Sequence, residues 1–268
     1  MGKDSLFSTT KPIIGMVHLL PLPETPNFGG DVDAIYERAL IDATALGWAG
    51  CDGLIVENFG DEPYLIGEPT TTQIAVMASV AHHIRREATI PVGINVQFNA
   101  WQAEIALAFA CKMDFVRVEV FVDTVISAQG IVHPCSAQIT RLRAALGAGR
   151  VQLWADVQTK YTQNLVAQPL AQSAVDAKAA GADALIVTGA ATGQATPLEA
   201  VAEVKSVVDL PVYVGSGTTI DNVQAVLAVA DGAIVGSSLK QDGIVTNPVD
   251  PERVRAFMAA ARGGSPPA

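Results

Sequence analysis

The chain has 268 residues, half of them hydrophobic and only 16% charged, with a formal net charge of −10. This balance argues against nucleic acid and anionic lipid as partners, because phosphate backbones attract basic faces and no Lys/Arg cluster exists here. No apolar run approaches the roughly 18 to 20 residues needed to span a bilayer, residues 1–10 do not read as a signal peptide, and Cys51, Cys111 and Cys135 are too few and too scattered for a disulfide framework or a zinc knuckle; a cytoplasmic protein with reduced thiols is expected.

Eight short apolar runs alternate with helix-length amphipathic segments. The first run starts at Pro12-Ile-Ile and ends at His18. Asp31 and Asp33 then favour a helix N-terminus, Ile35, Ala39, Ala43 and Leu46 recur at helical spacing, and Gly47 is a natural stop. Asp52-Gly-Leu-Ile-Val56 is the second strand, a helix over about 72–86 follows, and Pro91-Val-Gly-Ile94 is the third strand. Beyond it, Ala-rich helices over about 101–111, 136–146, 169–180, 197–207, 220–229 and 251–261 alternate with five more runs. Those runs are Asp114-Phe-Val-Arg-Val118, Val151-Gln-Leu-Trp-Ala155, Asp183-Ala-Leu-Ile-Val187, Pro211-Val-Tyr-Val214 and Asp231-Gly-Ala-Ile-Val235. Eight strands, each followed by a helix, predict one (β/α)8 TIM-barrel domain over 11–262, with a flexible segment at 1–10 and a loose tail at 263–268.

Three connections are long for a compact domain: residues 19–30, 57–72 and 121–135. They lie on the face where this fold places its chemistry, the C-terminal ends of the strands. The Asp that opens four of the strands lies at the other end, where residues serve stability. Counting from it sets Glu57, Glu119, Thr188 and Gly236 at one height around the mouth. Asn95 and Gly215 fall at matching heights counted from Pro91 and Pro211.

The strongest site signal is Val214-Gly-Ser-Gly-Thr-Thr-Ile-Asp-Asn222 together with Val235-Gly-Ser-Ser-Leu-Lys240. Glycines let successive N–H groups face one point and hydroxyls add donors, so Gly215, Ser216, Gly217, Gly236 and Ser237 are expected to hold a phosphate. Lys240 would close that site as a cation or stand in solvent. Asn95, Glu119, Thr188 and Gly189 are counted with the substrate-binding set at the same rim.

A carboxylate that ends an apolar strand costs desolvation unless it is paired, bound to metal or used for proton transfer. Glu57 and Asp156 are assigned to acid–base chemistry, whereas Arg117 and Glu119 share side parity and predict a rim salt bridge. Lys160 suits an electrophile, a phosphate ligand or a Schiff-base amine, against a plain surface lysine. His18 would act as acid or base with Glu57 as its partner, or orient the loop that follows. His18, Glu57, Glu119 and Asp156 include donor types of a divalent-metal site, but no local spacing such as H-x-H supports one, and no cofactor is expected.

Several stretches together resemble one known family: Gly15-Met-Val-His-Leu-Leu-Pro-Leu-Pro23, Asp52-Gly-Leu-Ile-Val-Glu-Asn-Phe-Gly-Asp61, Pro91-Val-Gly-Ile-Asn95, Ala155-Asp-Val-Gln-Thr-Lys160, Ala184-Leu-Ile-Val-Thr-Gly189 and the 243–253 stretch. On these the chain is identified as a member of the BtpA/SgcQ family, over about residues 11–260. The resemblance implies a TIM barrel grouped near phosphate-binding barrels. It also implies an association with photosystem I accumulation in cyanobacteria, as a peripheral thylakoid component, and in another branch with a sugar-utilisation gene cluster. This chain departs from the family pattern at Ala128, where relatives usually carry an acidic residue, and at Tyr161, where many have His.

Two functions are therefore expected. One is an enzyme, an isomerase, lyase or nucleosidase-like hydrolase, acting on a phosphorylated small molecule such as a sugar phosphate or a nucleotide-like ribosyl compound. The other is a non-catalytic assembly or regulatory factor of the photosystem I biogenesis type. Oligomeric state stays open, a homo-oligomer included, and peripheral membrane association enters only by family analogy.

Overall fold

The computed structural model describes residues 6–67 and 69–264. In chain order the barrel is built from β1 (Ile13–His18), α1 (Val32–Trp48), β2 (Gly53–Glu57), α2 (Thr71–Glu87), β3 (Val92–Asn95), α3 (Trp101–Cys111) and β4 (Phe115–Val118). A hairpin of β5 (Val125–Ser127) and β6 (Gly130–Val132) interrupts before α4 (Ser136–Ala145) and β7 (Gln152–Asp156); β8 (Gln163–Asn164) and α5 (Leu170–Ala179) follow. The chain ends with β9 (Ala184–Val187), α6 (Leu198–Val207), β10 (Val212–Val214), α7 (Val223–Val229), β11 (Gly232–Val235) and α8 (Pro251–Ala261). The eight strands β1, β2, β3, β4, β7, β9, β10 and β11 are parallel and close in that order, β11 returning to β1. This is the expected (β/α)8 barrel.

Helix limits follow local chemistry. Asp31 caps α1 by accepting from the N–H groups of Asp33 and Ala34, and the helix runs one residue past Gly47, its expected stop. Thr70 and Gln73 form a capping box at the start of α2. The seventh helix starts at Val223 and not near 220, because Asn222 accepts from the Thr219 N–H and donates to the Gly217 carbonyl, holding the intervening residues in a turn.

The repeated Asp has one structural job, done four times. Asp52, Asp114, Asp183 and Asp231 each accept an N–H at the start of the neighbouring strand, from Ile13, Val92, Leu153 and Val212, at 2.7 to 2.9 Å. Each also pairs with a cation: Arg262, Arg85, Arg143 and Lys205 respectively. The backbone donors at the barrel's bottom rim are thereby satisfied.

Inside the barrel, Trp154 stacks on Phe115 at 3.9 Å and on Tyr213 at 4.4 Å. Phe7 closes this layer from below, 5.9 Å from Trp154. Leu6 and Phe7, within the expected flexible segment 1–10, thus pack against the barrel floor; of the expected flexible ends, residues 1–5 and 265–268 lie outside the described residues. The aromatic layer needs Gly93, where an added Cβ would lie 2.3 Å from the Phe115 ring. Gly93→Ala should destabilise by roughly 1–3 kcal/mol through overpacking, read as a lower urea midpoint at unchanged slope; an unchanged midpoint would refute this packing account.

The connections after β4 and β7 are not plain loops. They build a small antiparallel sheet, ordered β6-β5-β8, over the C-terminal mouth. Phe98, Val120, Val125, Val132 and Tyr64 form a separate apolar cluster beneath it. Among the described residues no helix is long and apolar enough to cross a membrane.

Candidate active site

Side chains alternate along each strand, so the residue two beyond an interior apolar position also faces the interior. Met16, Ile55, Phe115 and Trp154 form the apolar floor. Two residues further on stand His18, Glu57, Arg117 and Asp156, all buried at the strand ends.

Arg117 is the pivot. Its Nε and Nη2 donate to Asp156 Oδ1 and Oδ2 at 2.9 and 3.0 Å, and Thr159 Oγ1 donates to Oδ2 at 2.9 Å. The expected Arg117–Glu119 salt bridge is thus replaced by a cross-strand pair. Residues two apart on one strand project side by side, whereas Asp156 on the adjacent strand meets the guanidinium with both oxygens. Asp156, assigned to acid–base work, has both oxygens committed.

Glu119 is held from another side. It accepts from Asn95 Nδ2 at 2.7 Å and from the Asn99 N–H at 3.1 Å. Asn95, expected to touch substrate, is fully buried beneath the site and also donates to Glu104 Oε1 at 3.1 Å. Gln97 hydrogen-bonds Glu57 and donates to Asn95 Oδ1.

Burial raises Glu57 above the ordinary carboxyl range, against the charges of Arg117 and Lys160. It also pushes Glu119 up to about 7, opposed by the Asn95 hydrogen bond. Lys160 is lowered by burial and by the nearby Arg117 charge. His18 is held down to about 3 by burial and then by Lys240, so its imidazole is neutral at neutral pH. Its contacts differ from those expected: the ring stacks on Phe59 at 4.4 Å and Nδ1 lies 3.4 Å from the Val245 carbonyl, with no bond to Glu57.

The two glycine loops meet beside these groups. Gly215, Ser216, Gly217, Gly236 and Ser237 line a small cavity of about 40 Å³ with His18 and Lys160. Among the described residues the N–H groups of Ser216 and Gly217 donate to no backbone acceptor. Gly217 sits at φ +69, and an added Cβ would lie 2.1 Å from the Gln194 carbonyl, so only glycine lets the 189–196 loop close over the cavity. Lys240 is not at this site. Fully buried, it donates to Asp42 Oδ2 of α1 at 2.9 Å, because a lysine withdrawn from water must find a carboxylate. Thr188 and Gly189 line a neighbouring cleft instead, and the Gly189 N–H is spent on Ser216 Oγ at 2.9 Å.

The small cavity adjoins a larger one of about 640 Å³ beneath the cap; Glu57, Phe59, Arg117, Lys160 and Thr192 wall both. Lys160 is carried by a loop whose Gln158 and Tyr161 adopt left-handed backbone at φ +51 and +60. The Tyr161 hydroxyl accepts from the Thr192 N–H at 2.7 Å, tying that loop to the one after β9. Strand parity placed Arg117 at the rim but not as its pivot; Gln97, Asn99, Thr159 and Tyr64 lie in irregular segments with no periodic signal. Among the described residues no group of three or more His, Cys, Asp or Glu side chains is placed to hold a metal ion.

Known proteins bear on these features in two ways. By structure, the chain is similar to thiamine phosphate pyrophosphorylase from Pyrococcus furiosus (TM-score 0.57, 15% identity, 95% of this chain and 96% of that one). It is also similar to phosphoribosyl anthranilate isomerase from Thermus thermophilus (TM-score 0.58, 13% identity, 94% and 98%). At these identities the likeness shows the fold alone. By sequence, it is 40% identical over 253 residues to an uncharacterised protein of Thermococcus kodakarensis, covering 94% of this chain and 95% of that one. It is 36% identical over 260 residues to the photosystem I biogenesis protein BtpA of Synechocystis, covering 96% and 90%. The BtpA family model matches residues 9–263, and the chain belongs to the BtpA family.

Proposed function

We propose that the protein is an enzyme that binds a phosphorylated small molecule, with its phosphate on the loops after β10 and β11, and acts on it by proton transfer. One observation carries this reading: the glycine-lined cavity opens onto a carboxyl and an amine whose charged forms are both disfavoured by burial, Glu57 and Lys160. Opposed shifts of that kind suit an acid–base pair working near neutral pH. Glu57 is the proton-transferring carboxyl, and Lys160 stabilises negative charge developing on the substrate. Glu119, with its carboxyl near 7, is a second proton carrier at the same wall. Asp156 fixes Arg117, and His18 acts as a neutral wall of the phosphate cavity.

Thermal denaturation with matched pairs of compounds, phosphorylated and not, tests the phosphate claim. A phosphorylated member at 100 times its dissociation constant should add about 2.7 kcal/mol. Gly236→Val, which fills the cavity beside His18, should abolish that gain. If no phosphorylated compound shifts the transition, or the shift survives Gly236→Val, the phosphate site is wrong.

A second reading, an assembly factor, rests on apolar side chains around the cap: Leu65, Ile131, Leu165 and Val166 are each more than half exposed. It predicts that replacing Glu57 leaves function intact.

A further inference from the structure

We infer that the ligand is a single phosphate monoester joined through a sugar-sized spacer to a neutral planar heterocycle, the architecture of a ribonucleoside 5′-monophosphate, and not a bare sugar phosphate. The inference rests on the phosphate reading above and adds what lies at the ligand's other end.

Size is the first argument. A water needs roughly 10–15 Å³ of such space, so the inner cavity of about 40 Å³ takes about three water-sized groups, the bulk of one phosphate. The outer cavity of about 640 Å³ falls within the roughly 300–1,000 Å³ of sites that enclose drug-sized molecules. A five-carbon sugar would leave most of it to water.

The chemistry of the walls separates in the same order. The cations Arg117 and Lys160 stand at the junction, beside the inner cavity. Beyond them, among the described residues, the outer wall has no cation: it offers the aromatic rings of Tyr64, Phe98 and Tyr161, with the amides of Gln97 and Gln129. Phe98 is buried and the Tyr64 hydroxyl is fixed on the Phe59 carbonyl at 2.7 Å, so these rings are held in place. Aromatic faces stack on a planar ring, and a primary amide supplies both a donor and an acceptor to a heterocycle's edge. The Glu62 carboxylate lines this wall as well, which disfavours a second phosphate there and favours a monoester over diphosphates and bisphosphates.

Isothermal titration calorimetry on the full chain tests this with ribose 5-phosphate, AMP, GMP, CMP and UMP, the corresponding nucleosides, and ADP. At least one monophosphate should bind tenfold or more tighter than ribose 5-phosphate, than its own nucleoside and than its diphosphate. Gln129→Ala, at the exposed tip of the β5–β6 hairpin, should bring that monophosphate down to the affinity of ribose 5-phosphate. If ribose 5-phosphate binds as tightly as every monophosphate, the inference fails while the phosphate reading stands. If nucleosides match their monophosphates, or nothing phosphorylated binds, the phosphate reading fails and this inference with it.

Discussion

Arg117→Met should cost at least about 3–5 kcal/mol, the range for removing one partner of a buried ion pair, and the loss should grow with pH. Arg117 neutralises Asp156 directly and opposes the burial penalty on Glu57 and Glu119, so its removal strands three carboxyls in a closed barrel. The sign follows from proton binding. A carboxyl raised in the folded state binds more protons there than in the unfolded chain, so its stability contribution is complete below the unfolded value and is lost as pH rises through the folded one. For Glu119 that window runs from 4.5 to about 7 in the native protein. Without Arg117 it extends upward, and the window of Glu57, already raised in the native protein, widens with it. Urea unfolding at pH 5, 7 and 8.5 should show the smallest deficit at pH 5, and an equal deficit at all three would contradict the account. Arg117→Met combined with Asp156→Leu should recover much of the loss, because an apolar pair replaces a buried ionic one at little cost. The deficit left above pH 7 then belongs to Glu57 and Glu119.

The barrel was legible because its signals are periodic. Strand alternation and the recurring Asp each repeat many times, and a local exception such as Gly47 does not disturb the sum. Counting from Asp52 to Glu57 worked because one strand keeps its own parity. Deciding what Glu57, Arg117 or Asp156 touches needs the facing strand, and a sequence does not carry the stagger between strands. Hence Arg117 was matched to Glu119 on its own strand and not to Asp156 across the ladder. Lys240 misled for a related reason: it follows a glycine turn on the catalytic face, yet the chain bends back there and hands it to Asp42, 198 positions earlier. The cap was hidden because its strands have two or three residues, too few to show alternation, and β8 joins the β5–β6 hairpin from a loop far along the chain.

Glu57→Gln should lower kcat by roughly 10²–10⁴-fold, the usual contribution of a positioned general acid or base, while the thermal shift by a phosphorylated ligand is kept. The amide keeps the shape and the Gln97 hydrogen bond but cannot accept a proton. It also removes a buried charge that the barrel holds at a cost, so the variant should be no less stable than the native chain above neutral pH. The pH profile gives an independent check. A base whose folded pKa is raised moves the acid limb of kcat/KM above 4.5, and a lysine whose pKa is lowered brings the alkaline limb below 10.5, so the optimum narrows from both sides. Lys160→Met should remove the alkaline limb and keep the acid one, moved upward by the loss of the lysine charge beside Glu57. Asp156→Asn should act differently from Glu57→Gln: by loosening Arg117 it costs stability and shifts both limbs, and does not abolish proton transfer outright. Full turnover in Glu57→Gln would dismiss Glu57 as the proton carrier. Retention in that variant of whatever assembly role the family has would favour the second reading, in which the barrel keeps its ligand pocket and the exposed apolar rim of the cap does the work.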